Sequence, residues 1–127
     1  MVDIINQDEI EAYLEEHNLT AEKTESGIHY IIVEEGTRKK PTIKDTVKCH
    51  YKGYFTNGNK FDSSDRRKPA KFRLSQVIQG WQEGIPLFGK GGKGTLLIPS
   101  KLAYGSNPPG GILADAVMIF DIELVDF

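Results

Sequence analysis

Cys49 and His50 stand side by side, an order that suggests a thiol nucleophile next to its base. The residues around them alternate: Val47, Cys49 and Tyr51 on one side, Lys48, His50 and Lys52 on the other. That period of two places the pair on a strand, where adjacent side chains face opposite ways and cannot meet. Cys49 therefore reads as a small core residue. His17 and His29 are far from His50 in sequence, and no H-x-H or H-E-x-x-H spacing occurs, so neither a metal site nor a cofactor is expected. No G-x-S-x-G turn presents a serine nucleophile. Gly89 to Gly94 do satisfy G-x-G-x-x-G, but a phosphate loop follows a strand and opens a helix, whereas here a helical pattern precedes and Thr95-Leu96-Leu97-Ile98 follows. These glycines read as a flexible helix-to-strand turn.

What remains is an aromatic set, Tyr51, Phe61, Trp81, Tyr104 and Phe120, with one carboxylate beside it, Asp62. An ionised carboxylate at the edge of an apolar pocket needs hydrogen bonds or a cation, which Tyr51 and an arginine of the loop Asp65-Arg66-Arg67-Lys68-Pro69 could supply. Asp62 can equally make a turn with Ser63-Ser64, and spacing alone leaves both readings open. A lone tryptophan on a helix is by itself most often core.

Trp81 lies in Val77-Ile78-Gln79-Gly80-Trp81-Gln82-Glu83-Gly84-Ile85-Pro86-Leu87, whose apolar residues recur at three to four and predict a short amphipathic helix. Two glycines and a proline make it weak in isolation, so packing across a sheet must hold it. Ser75 is placed to begin it. Upstream, a helix is predicted from about Asp8 to His17, with Asn6-Gln7-Asp8-Glu9 as capping side chains and first-turn acids, and Asn18 as a left-handed stop. Its apolar stripe of Ile10, Tyr13 and Leu14 is narrow, which makes this helix an extension docked on the domain. Strands are predicted over Ile28 to Val33, around Tyr51, over Lys60 to Ser64, near Lys71 to Leu74, from Thr95 to Ile98, and over the last residues, where Met118, Phe120, Ile122 and Leu124 share a face. Asn57-Gly58 signals a two-residue hairpin turn. Several antiparallel strands with one crossing helix make an α+β domain.

The chain of 127 residues is long enough for one core without disulfides, and its single cysteine excludes an internal one. A net charge of −2 argues against a nucleic-acid binder. No apolar run is long enough to span a bilayer, and the acidic start does not resemble a signal peptide. A cytoplasmic location is expected for the chain as written; a segment upstream of Met1 would move it to the periplasm or a membrane anchor.

Val47-x-x-x-Tyr51-x-Gly53, Lys60-Phe61-Asp62-Ser63-Ser64, Val77-Ile78-x-Gly80-Trp81-x-x-Gly84, Ile98-Pro99, Ala103-Tyr104-Gly105 and Phe120-Asp121-Ile122-Glu123-Leu124 occur in an order that closely resembles the FKBP-type peptidyl-prolyl cis-trans isomerases. The resemblance runs from about Gly27 to Phe127. It implies a curved, half-open antiparallel sheet wrapped around one short helix, as a domain of residues 27–127 with a helical extension of residues 1–26. It also implies an isomerase of X-Pro bonds that assists protein folding, with proline-containing peptides and folding proteins as substrates, and a monomer that binds macrolides such as tacrolimus or rapamycin. Carried over residue by residue, Tyr51, Asp62 and Tyr104 take the catalytic positions, and Phe61, Val77, Ile78, Trp81 and Phe120 bind substrate. Ala70 stands where the family often has an aromatic, and Ile112-Leu113-Ala114 where Ile-Pro-Pro is common. Which of Arg66 and Arg67 faces Asp62 stays open. The alternative to an enzyme is a proline-binding module or chaperone with little isomerase activity.

Overall fold

The computed structural model of the chain describes residues 1–110, 112 and 114–127. The departure at Ile112-Leu113-Ala114 therefore falls partly outside the described residues. Nine main elements follow in order: α1 (Val2–Glu16), β1 (Glu22–Lys23), β2 (His29–Glu34), β3 (Thr46–Tyr54), β4 (Lys60–Ser63), β5 (Ala70–Arg73), α2 (Gln79–Gly84), β6 (Lys93–Ile98) and β7 (Met118–Asp126). The strands form one antiparallel sheet in the order β1-β2-β6-β7-β3-β4, with β5 also paired to β3. The sheet is open and curves around α2, as the family resemblance implies.

β3 organises the site. One edge runs along β7, while the other is shared: β5 takes Thr46 to Cys49, and β4 takes Lys52 to Tyr54. The ladder breaks between them at Tyr51, whose N–H donates to Ser64 Oγ at 2.9 Å and whose carbonyl accepts the Ser64 N–H at 2.9 Å. Both backbone groups are thus satisfied without a continuous strand, and the edge opens there.

The concave face carries the main core, including Val47, Cys49, Leu74, Trp81, Ile85, Phe88, Leu96, Ile98, Phe120 and Leu124. α2 lies close against β6. A Cβ on Gly80 would stand 2.6 Å from Ile98 Cγ2, and one on Gly84 would stand 2.5 Å from Leu96 Cδ1. The two glycines, four apart, form the helix face that meets the sheet. The helix is shorter than the apolar pattern suggests. Ser75 does not begin it, because Leu74–Gln76 forms a separate 3₁₀ turn and Ile78 takes the N-cap position, while Ile85–Leu87 continues as 3₁₀ with Pro86 inside.

On the sheet's other face Ile10 and Leu14 of α1 pack against Leu97, Val117 and Ile119. α1 begins at Val2, six residues before the expected start, and Asn6 is inside it, buried, and not a cap. Asn6, Ile10 and Leu14 are its buried stripe, one residue per turn, and the polar first member hid the extra turn from a hydrophobic pattern. Its end is as expected: Asn18 has φ 54°, with Asn18 N–H on the Glu15 carbonyl and Leu19 N–H on the Leu14 carbonyl, a Schellman closure.

Two turns differ from expectation. In the β3–β4 hairpin Gly58 N–H bonds the Phe55 carbonyl, so Thr56 and Asn57 form the corner and Gly58 alone has positive φ, 89°. This three-residue turn replaces the expected two-residue Asn-Gly turn. The glycine turn before β6 is pinned rather than flexible: Gly89, Gly91 and Gly92 donate to the carbonyls of Glu35, Leu124 and Gly89. Its N–H groups are spent on the chain itself, which removes the donors a phosphate would need.

The packing of α2 sets a test of sign. Helix propensity alone would make Gly84→Ala stabilising by about 1 kcal/mol. Because Leu96 is fully buried and cannot yield, we expect the substitution to lower the unfolding free energy by about 1–3 kcal/mol in urea titration. A second expectation concerns His29, which is buried with Nδ1 lacking a partner among the described residues. Burial, then Lys23, hold its pKa below the usual 6.5, against weaker opposition from Glu11. The unfolded chain therefore takes up the proton first, so stability is full above about pH 6.5 and declines as pH falls through the folded pKa. Thermal melts across this range should show that decline, and His29→Leu should flatten it.

Candidate functional site

Trp81 is the first side chain α2 delivers to the interior, and it is 4% exposed. Its indole is met edge to face by Tyr51, Phe72 and Phe120, each with a centroid separation of 5.2 Å and interplanar angles of 83–84°. Such pairs contribute about 0.5–1.5 kcal/mol each beyond the area they bury, so the indole plane is fixed by three neighbours from three strands. Phe61 extends the wall, crossing Phe120 at 89° and 5.5 Å. Gly53 permits this, since a Cβ there would stand 2.7 Å from the Phe61 ring and 2.9 Å from Phe120.

Together these rings enclose a cavity of about 320 Å³. All eight residues expected at the site line it: Tyr51, Phe61, Asp62, Val77, Ile78, Trp81, Tyr104 and Phe120. Phe72 and Gln76 line it as well and were missing from the expected set. Phe72 carried a usable signal, as the inward member of Lys71-Phe72-Arg73 on a strand. Gln76 carried none, because a 3₁₀ turn has no strand or helix period to read.

The polar groups sit at the rim. Tyr51 Oη donates to Asp62 Oδ2 at 2.8 Å, and the Ser63 N–H donates to Asp62 Oδ1 at 2.8 Å. Burial of the ring, reinforced by that bond to Asp62, raises the Tyr51 pKa well above the usual phenol value, so its hydroxyl stays protonated. Asp62 is solvent-exposed, not enclosed in apolar surroundings. Neither loop arginine pairs with it among the described residues: the Arg67 backbone N–H donates to Asp65 Oδ1, and Arg66 lines a separate, broader depression. The need for a cation vanishes because water reaches the carboxylate. Val77 and Ile78 enter on the bend before α2, which Gln82 braces with a 2.9 Å bond from Nε2 to the Val77 carbonyl. The Ile78 N–H donates to no protein acceptor among the described residues, while its carbonyl starts the helix. Tyr104 overhangs the opening and is 39% exposed.

Cys49 lies beneath, fully buried, and burial pushes its thiol up to about 12, so it stays an unreactive thiol as its strand position implied. A broader depression of about 680 Å³ lies on the solvent face of β3, β6 and β7, edged by Lys52, Lys60, Lys93, Asp121 and Glu123. Its charges are mixed and it has no aromatic floor. The arrangement over Trp81 is instead suited to hold a small apolar ring against the indole while a few donors fix polar groups at the rim.

Comparison with known proteins agrees with this geometry. The sequence profile described as FKBP-type peptidyl-prolyl cis-trans isomerase matches residues 37–125. The chain is 52% identical over 103 residues to the isomerase FkpA of Aeromonas hydrophila, covering 80% of this chain and 38% of that protein. It is 45% identical over 106 residues to FkpA of Escherichia coli K12, covering 82% and 39%. The chain thus spans about two fifths of the length of the curated relatives it matches. Among solved structures, FkpA from Escherichia coli superposes with a TM-score of 0.86 at 38% identity, over 97% of this chain and 59% of that one. AtFKBP13 does so with a TM-score of 0.75 at 36% identity, over 84% and 97%. By the profile match and these identities, the chain belongs to the FKBP-type peptidyl-prolyl cis-trans isomerase family.

Proposed function

We propose that the domain catalyses cis-trans rotation about X-Pro peptide bonds, without covalent chemistry, and so assists the folding of proteins limited by proline. The observation that carries this reading is the aromatic cavity over Trp81, with its polar groups confined to the rim. Rotation about an X-Pro bond meets a barrier of about 18–20 kcal/mol because it breaks amide resonance, and uncatalysed exchange takes tens to hundreds of seconds. A planar amide is charge-separated and prefers water, whereas a twisted one is less polar. An apolar cavity therefore disfavours the ground state more than the transition state.

In this reading Trp81 is the floor beneath the pyrrolidine ring, and Tyr51, Phe61, Phe72 and Phe120 are the walls. Val77 and Ile78 form the lip, the Ile78 N–H holds one substrate carbonyl, and the Tyr104 hydroxyl holds another. Asp62 fixes the Tyr51 hydroxyl and polarises the rim; it is neither nucleophile nor general base. The domain acts as a monomer on proline-containing peptides, and its cavity also accepts proline-mimicking macrolides of the tacrolimus and rapamycin type.

On an X-Pro peptide assay, Tyr51→Phe and Asp62→Val should each lower kcat/KM by about tenfold. Combining them should cost scarcely more than either alone, because both remove one hydrogen bond. Fully additive losses would contradict the shared role, and an intact protein no faster than the uncatalysed exchange would refute the reading. Because Trp81 is the chain's single tryptophan, rapamycin should change its fluorescence saturably. An unchanged spectrum at saturating macrolide would remove the claim of macrolide binding.

A further inference from the structure

The segment that carries Tyr104 is held from behind by α1, and one buried side chain makes most of the bonds. Asn6 is 2% exposed, and its Oδ1 accepts both the Ser100 N–H, at 2.9 Å, and the Ser100 hydroxyl, at 2.5 Å. Its Nδ2 donates to the Asp115 carbonyl at 3.1 Å. A backbone N–H can only donate and a carbonyl can only accept, so the amide orientation is chemically determined. The same segment is bonded internally. The Ser100 carbonyl accepts from Ala103 and from Gly105, and the Gly105 carbonyl accepts the Asp115 N–H at 2.8 Å. Asn6, Ser100, Gly105 and Asp115 therefore form a closed ring of hydrogen bonds, and Tyr104 stands one residue before Gly105 on that ring. Gly105 and Asp115 have positive φ, 58° and 56°, so the backbone bends at two of the four members.

The ring joins opposite sides of the sheet. Asn6 belongs to the helix behind it, and Tyr104 overhangs the cavity in front. Asn6 provides acceptor and donor from two separate atoms of one rigid, buried group, a combination that alanine and leucine lack. Lys101 adds an exposed pair to Asp3 at 3.3 Å, too solvated to hold the segment alone.

We propose that Asn6 is a positioning residue for the isomerase reaction, fixing Tyr104 over the cavity by closing this hydrogen-bond ring. The inference rests on the isomerase reading above and adds to it a role for the helix outside the aromatic site. α1 then governs the productive pose of the substrate, and the residue nearest the reacting bond need not be the one that fixes the geometry.

The test compares Asn6→Ala with Gln7→Ala on the full chain. Gln7 is its neighbour on α1 and bonds the Gly27 carbonyl, away from the ring. Asn6→Ala should lower kcat/KM on X-Pro peptides by about tenfold to a hundredfold, the penalty of a misplaced group, while Gln7→Ala lowers it less than about twofold. In a Tyr104→Ala background the Asn6→Ala loss should shrink to less than about twofold, because the group it positions is gone. Hydrogen exchange at the Gly105 and Asp115 amides should quicken by about tenfold in Asn6→Ala but not in Gln7→Ala. Ser100→Ala keeps the backbone bond and loses only the hydroxyl one. It should give the same signature at smaller size, and it serves as the test if Asn6→Ala does not fold. Equal losses in Asn6→Ala and Gln7→Ala, or a loss undiminished without Tyr104, would overturn the positioning role while leaving the isomerase reading standing. A wild-type protein without activity would overturn the isomerase reading, and this proposal with it.

Discussion

The close seat of α2 on β6 is the contact on which the site depends. Helix and sheet normally stand apart by the thickness of two side-chain layers, but Gly80 and Gly84 remove one layer where Ile98 and Leu96 rise from the strand. The helix sinks into the concave face, and Trp81, between the glycines in sequence, is carried down to where rings from β3, β5 and β7 converge. Each glycine weakens the helix locally by about 1 kcal/mol. Burial of the indole and three edge-to-face contacts offset that cost, and the cavity floor is the result.

A floor needs an opening, and the sheet provides one by changing partners along β3. Because β5 and β4 divide that edge, Tyr51 falls at the break, with its backbone satisfied by Ser64 and its side chain free to reach Asp62. The polar pair therefore sits where water reaches it, and the aromatic walls lie just below. The same separation underlies the proposed chemistry: substrate carbonyls meet donors at the rim, and the rotating amide meets aromatic rings beneath it.

Most of this was legible in the sequence because it rests on local signals. Alternation around Tyr51 and Phe120 gave their inward direction, and three- to four-residue spacing gave the Trp81 helix. Gathering the eight site residues into one cavity, however, came from ordered motifs and not from periodicity. What escaped depends on partners far along the chain. Asn6 looked like a helix cap because capping is a local reading, whereas its partners Ser100 and Asp115 lie 94 and 109 residues away. For Asp62, a partner in Tyr51 or a loop arginine and a plain turn both stayed open, because its exposure, set by the break in the sheet edge, is a tertiary property. The hairpin misled for a smaller reason: Asn-Gly fits two turn types, and only the Gly58 conformation with the bond to Phe55 distinguishes them.

The central claim is that an X-Pro bond rotates while its proline rests on Trp81, and no covalent bond is made or broken. Exchange NMR on an X-Pro peptide with this protein tests it most directly, by reading the cis-trans rate and the contacts of the bound proline in one sample. The account predicts exchange far faster than the uncatalysed tens to hundreds of seconds, with nuclear Overhauser contacts between proline ring protons and the Trp81 indole. Fast exchange with the proline bound away from Trp81, or bound proline at Trp81 with no acceleration, would contradict it.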